Sequence, residues 1–134
     1  MANAFSVSID VAVPPDEAWA VIGDPTAIPR WYRAYETCTV EGDRRVLTRA
    51  DGAVLEERLL ERDDDARFYA YTVLSGVPLR SHWASFTVEP AAGGSRIVWR
   101  TEGEPDDPDA DLEERIAGRQ RQALEALRTL LEAG

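Results

Sequence analysis

Hydrophobic residues recur along this chain at two periods. From Asp109 to Glu132, Leu112, Ile116, Ala123, Leu124, Leu127, Leu130 and Leu131 fall at steps of three and four. That spacing predicts one stripe of an α-helix about 36 Å long at roughly 1.5 Å per residue. Glu113, Glu114, Arg115, Arg119, Arg121, Glu125 and Arg128 occupy its other faces. Pro105, Asp106, Asp107, Pro108 and Asp109 mark the start, with acids where the helix dipole favours them, and Gly134 follows the end. An amphipathic helix needs a partner surface. Almost everything before it alternates with the strand period, so that partner is a sheet.

Phe5, Val7, Ile9, Val11 and Val13 share one face of a first strand, and Ser6, Ser8, Asp10 and Ala12 share the other. Pro14 and Pro15 stop it, and Asp16 and Glu17 begin a short helix that runs through Ile22 and buries Trp19. Gly23, Asp24 and Pro25 break that helix, and a second brief one runs from Pro25 to Trp31. From Tyr35 onward, turn signals such as Glu41-Gly42-Asp43, Asp51-Gly52 and Ala91-Ala92-Gly93-Gly94 recur about every ten residues, which predicts antiparallel strands. These strands cover 35–41, 44–50, 53–62, 67–75, 81–90 and 95–103. The expectation is a single α+β domain over 1–134, with seven strands, two short helices after the first strand and a long terminal helix.

Three strands carry more than fold. Leu55, Glu57, Leu59 and Glu61 share a face, which sets Glu57 between two leucines on the inward side, where a carboxylate is unusual. It reads as a pocket acid with a raised pKa, as a structural carboxylate paired with an Arg, or as one facing water in an open cleft. If it is uncompensated, Glu57→Gln should be neutral or stabilising. In the next strand Tyr69, Tyr71 and Val73 oppose Phe68, Ala70, Thr72 and Leu74. The tyrosine face is expected inside, since a phenol can satisfy its hydroxyl with ligand or water, although both rings could equally be plain core. The apolar outer face at Phe68, Ala70 and Leu74 fits a homodimer contact or an edge-packed loop.

The 81–90 strand is ambiguous, because Trp83, Ser85 and Thr87 alternate with Ala84, Phe86 and Val88. A bulge near Ala84 and Ser85 would turn both Trp83 and Phe86 inward and leave His82 pointing away or at the rim. Ile97, Trp99 and Thr101 share a face of the last strand. Gln120, one turn beyond Ile116, is the polar residue on the helix stripe, set to touch a ligand or to cap a cavity with water.

Composition removes whole classes of chemistry. The formal charge of −10 opposes nucleic acid phosphates and anionic lipid surfaces. All fifteen basic residues are Arg, so a lysine Schiff base is excluded, and one Cys and one His exclude a disulfide within the chain and a Cys/His zinc site. No cofactor or metal is expected. No basic start leads into an apolar run, and no apolar stretch approaches ~18 residues, so no membrane insertion and a cytoplasmic location are expected.

The order of a strand, then PPDEAWAVIGDPTAIPRW, the meander with LEERLLERDDDARFYAYTVLSGVPL, then RIVWRTEGEP and a long helix resembles the START-like (SRPBCC) superfamily, specifically its bacterial polyketide cyclase/dehydrase and lipid-transport branch. The resemblance covers essentially the whole chain. It implies a helix-grip fold, a curved antiparallel sheet wrapped around the terminal helix with a deep cavity between them, and a gate-like loop at Ser75 to Arg80. It also implies that Glu57, Tyr71, Val73 and Trp83 line that cavity. The gate signature of plant hormone receptors is replaced by Val77-Pro78-Leu79-Arg80, which removes any case for hormone sensing.

The expected partner is a small, mostly apolar molecule in a cavity lined by Leu55, Leu59, Tyr69, Tyr71, Val73, Trp83, Phe86, Trp99 and Leu124, with Glu57, Thr101 and Gln120 as sparse polar points. The alternative is a cyclase or dehydratase. There Glu57 takes a proton α to a carbonyl, and Tyr71 or Tyr69 donates to the developing enolate. A third reading, an interaction domain like the superfamily's co-chaperones, lacks a large exposed apolar patch.

Overall fold

The alternating segments pair as one antiparallel sheet, and the computed structural model describes residues 3–133. In chain order the elements are β1 (Asn3–Val11), α1 (Pro15–Ile22), α2 (Ile28–Trp31), β2 (Tyr35–Glu41), β3 (Arg44–Arg49), β4 (Val54–Asp63), β5 (Phe68–Ser75), β6 (Leu79–Ala91), β7 (Gly94–Pro105) and α3 (Leu112–Glu132). The sheet order is β1-β7-β6-β5-β4-β3-β2, so the first strand returns beside the last and the two short helices bridge from one sheet edge to the other. The curved sheet with α3 across it is the helix-grip arrangement expected from sequence.

Several boundaries differ, for local reasons. α3 starts at Leu112 rather than Asp109, because Asp111 is its cap and its side chain accepts from the Glu114 N–H at 3.1 Å. The Gly134 stop signal lies outside the described residues. α2 is a single turn, and Trp31 at its end is fully buried, edge-on to Phe86 and Trp99 with ring centroids 5.8 Å away in each case. Trp19 is only half-buried. Ala18 and Ile22 are the buried residues of α1, while the Trp19 indole donates to Asp64 at 3.0 Å with the Arg62 guanidinium over its ring.

Curvature comes from β4, whose pairing with β5 shifts between Glu56 and Glu57 and again between Leu59 and Arg62. Such irregularities bend a strand and increase its twist. The inward face keeps its apolar period: Phe5, Val7, Ile9 and Val11 on β1, Tyr69 and Tyr71 on β5, and Ile97 and Trp99 on β7 are all buried. Each such side chain contributes about 1.5–3 kcal/mol relative to exposure.

α3 lies along β1 and β7 and touches α2. Its second half is core, through Ala123, Leu124, Leu127 and Leu131, and Glu132 locks the far end by accepting from the Ala12 N–H at 2.8 Å. Its first half spans the concave sheet where the two surfaces stand apart. No helix among the described residues is long and apolar enough to cross a membrane.

Candidate ligand pocket

Glu57 faces inward, as its alternation requires, and directly across the β3–β4 hairpin from it stands Arg45. The two are 1% and 4% exposed for Arg45 and Glu57 respectively. Arg45 Nε donates to Glu57 Oε1 at 2.7 Å and Nη2 approaches the same oxygen at 2.6 Å. Arg45 Nη1 donates to the Tyr69 hydroxyl at 3.0 Å and to the Pro25 carbonyl at 3.2 Å. The guanidinium carbon also sits 4.9 Å from the centroid of the Tyr71 ring. A buried charge without a partner is very costly. Here each ion compensates the other, and Arg45 has four polar or aromatic neighbours.

Above this network a pocket of about 200 Å³ opens between the sheet and the first half of α3. Leu55, Val73, Phe86 and Trp99 form its apolar wall, and Thr101 and Gln120 meet across it, with Gln120 Nε2 donating to Thr101 Oγ1 at 3.0 Å. Gln120 is 3% exposed, and its Oε1 has no hydrogen-bond partner. Tyr71 lies on the same wall with its hydroxyl accepting from the Trp99 indole at 2.9 Å. Val77, Pro78 and Leu79 of the gate-like loop border the opening. Gly76 holds that loop down: its φ is +107°, and an added Cβ would strike the Val54 carbonyl.

The pocket is dry enough to move its titrating groups. Burial pushes the Tyr71 phenol well above its ordinary value, with the Glu57 charge adding to the rise. Burial lifts Tyr35 to about 12 and raises Tyr32, and Arg119 and Arg49 oppose both shifts. Burial also pushes Glu57 above the usual carboxylate range, and the Arg45 contact pulls it back in part. Arg45 stays protonated throughout. His82 is lowered to about 4 by burial.

The residues expected at the site do not all converge. Leu55, Glu57, Tyr71, Val73, Phe86, Trp99, Thr101 and Gln120 border one pocket. Four others do not. Tyr69 is buried behind the wall, holding Arg45; Leu59 packs half-buried at its edge; Leu124 belongs to the helix core. Trp83 faces the other side of the sheet, because the bulge expected near Ala84 and Ser85 is absent. Pairing runs without a shift from Phe68↔Thr87 to Tyr71↔Ala84 on one flank and from Ser81↔Glu104 to Ala91↔Gly94 on the other. Unbroken alternation turns Ala84, Phe86 and Val88 inward together with His82. His82 therefore lines the pocket instead of the rim, and its Nδ1 accepts from the Val73 N–H at 3.1 Å where the β5–β6 ladder ends.

Arg45, Tyr32, Tyr35, Arg115 and Arg119 were not singled out as site residues by the pattern, yet all border the pocket alongside His82. A signal for Arg45 did exist. It shares parity with inward Leu47, and the turn at Asp51-Gly52 brings it opposite Glu57. Among the described residues, no three His, Cys, Asp or Glu side chains cluster as metal ligands would.

Residues 3–132 match the family described as polyketide cyclase/dehydrase and lipid transport. The chain belongs to that family. The polyketide cyclase/dehydrase and lipid-transport assignment also places it in the START-like superfamily anticipated from its motifs. An uncharacterised protein of Mycobacterium tuberculosis is 24% identical over 135 residues, covering 95% of this chain and 74% of its own length. A crystal structure of a Bacillus thuringiensis protein superposes with a TM-score of 0.83 at 21% identity, over 98% of each chain. Norcoclaurine synthase from Thalictrum flavum, in complex with dopamine and hydroxybenzaldehyde, superposes at a TM-score of 0.74 and 16% identity, over 99% of this chain and 88% of that one. These solved neighbours share this sheet-and-helix frame.

Proposed function

We propose that the protein binds a small, mostly apolar molecule in the pocket between the sheet and the first half of α3. The observation that carries this reading is Gln120. A buried amide oxygen without a partner costs on the order of 1–3 kcal/mol unless something donates to it. Gln120 borders a pocket whose other walls are largely aliphatic and aromatic, and a small turn of its side chain would present that oxygen to a ligand. A ligand with an apolar body and one hydroxyl or N–H donor answers both features. The pocket's about 200 Å³ exceeds the ~150 Å³ that accommodates a benzene, so one substituted ring, a fused pair or a chain of similar bulk fits. The family's description and the aromatic ligands bound by norcoclaurine synthase support the same class.

Binding is favoured over turnover by Arg45. A base at Glu57 would have to work from a carboxylate already held by a permanent cation. Native mass spectrometry of the protein purified from its own host, followed by denaturing extraction, tests the reading. A stoichiometric apolar compound returned unchanged is the expected result. Protein that is empty as isolated and retains none of a panel of one- and two-ring phenols would overturn it.

A further inference from the structure

α3 sorts its charges about the pocket. Leu112, Arg115, Ile116, Arg119 and Gln120 face the opening, while Asp111, Glu113 and Glu114 border a shallow depression on another side of the helix. Arg115 and Arg119 are exposed, one helical turn apart, and neither takes part in an ion pair among the described residues. Across the mouth stand the half-buried phenols of Tyr32 and Tyr35. The pocket's one carboxylate, Glu57, is neutralised by Arg45 at its base. Three arginines against a single carboxylate leave the pocket at a formal charge of +2, in a chain whose net charge is −10. Local positive potential at the mouth of a low-dielectric cleft focuses on anions.

From this arrangement we infer that the ligand is an amphiphilic acid, an apolar ring or chain seated against Phe86 and Trp99 with a carboxylate at the mouth between Arg115 and Arg119. The inference rests on the pocket being a binding site and adds the ligand's charge and its orientation. The distribution of charge in the pocket favours this direction. The Glu57–Arg45 pair is mutually compensated and offers an anion no net charge, whereas the helix arginines, unpaired among the described residues, offer donors that match a carboxylate in pairs. Tyr32 and Tyr35 keep their protons at neutral pH and can add hydroxyl donors to the same group. The acidic remainder of the surface discourages anions that lack an apolar body, because they gain nothing from the pocket to offset long-range repulsion.

The test compares the carboxylate, the amide and the aminomethyl cation of one naphthol, each keeping the hydroxyl donor for Gln120, by calorimetric titration at low ionic strength. The carboxylate should bind about tenfold more tightly than the amide, as a charge-assisted contact at a partly exposed site warrants, and the aminomethyl cation more weakly than either. The Arg115→Gln/Arg119→Gln double variant should bring carboxylate and amide to parity. Arg121→Gln, which removes a cation from the opposite side of the helix, should retain the preference. Amide binding as tight as carboxylate binding, or a preference that survives the double variant, would overturn the inference and leave the pocket reading intact. If none of the three binds, the pocket reading itself falls and the inference with it.

Discussion

Replacing Glu57 by glutamine removes one charge from a buried pair and leaves Arg45, which is 1% exposed and cannot lose its proton, with no counter-ion. The Tyr69 hydroxyl and Pro25 carbonyl remain, but they are neutral. Breaking one side of a buried ion pair costs up to about 3–5 kcal/mol, and the loss here is reduced by the relief of the desolvation that holds the Glu57 carboxyl above the usual range. For a chain of 134 residues the full cost corresponds to a fall in Tm of roughly 10–18 °C. Urea denaturation followed by tryptophan fluorescence measures the loss without adding salt that would screen the pair. The complementary Arg45→Met variant behaves differently with pH. It strands Glu57 as a carboxylate, which can escape by taking up a proton, so its deficit should shrink as pH falls toward the ordinary carboxylate range. The Glu57→Gln protein itself gains nothing from acid, because arginine has no such escape; its gap to the wild type closes only because wild-type Glu57 also takes up a proton there. The Arg45→Met/Glu57→Leu double variant should recover most of the stability, since an apolar pair of similar volume has no desolvation to offset. A Glu57→Gln protein as stable as the wild type would refute this reasoning, and would return Glu57 to the status of a free carboxylate able to act as a base.

Two further outcomes follow from the pocket. His82 has its folded pKa lowered to about 4 from an ordinary 6.5. Its contribution is therefore fully present above pH ~6.5 and lost as pH falls through about 4, roughly 3 kcal/mol in total at 1.36 kcal/mol per unit. Protonation also removes the acceptor of the Val73 N–H. Urea titrations from pH 7 to pH 4 should show a steeper loss in the wild type than in His82→Asn, and parallel losses would rule the shift out. Gly76→Ala should cost on the order of 1–3 kcal/mol, from the positive φ and the collision with the Val54 carbonyl, and should loosen the Val77–Leu79 loop. Hydrogen exchange at Leu79, whose N–H donates to the Val77 carbonyl at 2.9 Å, reports that loosening; unchanged protection there would contradict it.

The alternation of Phe5 to Val11 and the three-and-four spacing of Leu112 to Leu131 were enough to establish a sheet with a helix across it, because side-chain period depends only on local backbone geometry. The same parity put Glu57 and the two tyrosines inward. What lay beyond it was pairing. Glu57 acquires its meaning from Arg45 across a hairpin, and only strand register decides that an inward carboxylate is half of an ion pair. At the 81–90 strand the apolar weight of Trp83 argued for a bulge that continuous pairing with both neighbours forbids; two flanking ladders outweigh one indole, and His82 took the inward place. The mouth was least legible. Arg115 and Arg119 belong to the polar side of α3 by periodicity, and a helix wheel cannot know where its partner curves away. The bend of β4 and the loop pinned at Gly76 make that gap, and so turn two solvent-facing arginines into the rim of a pocket.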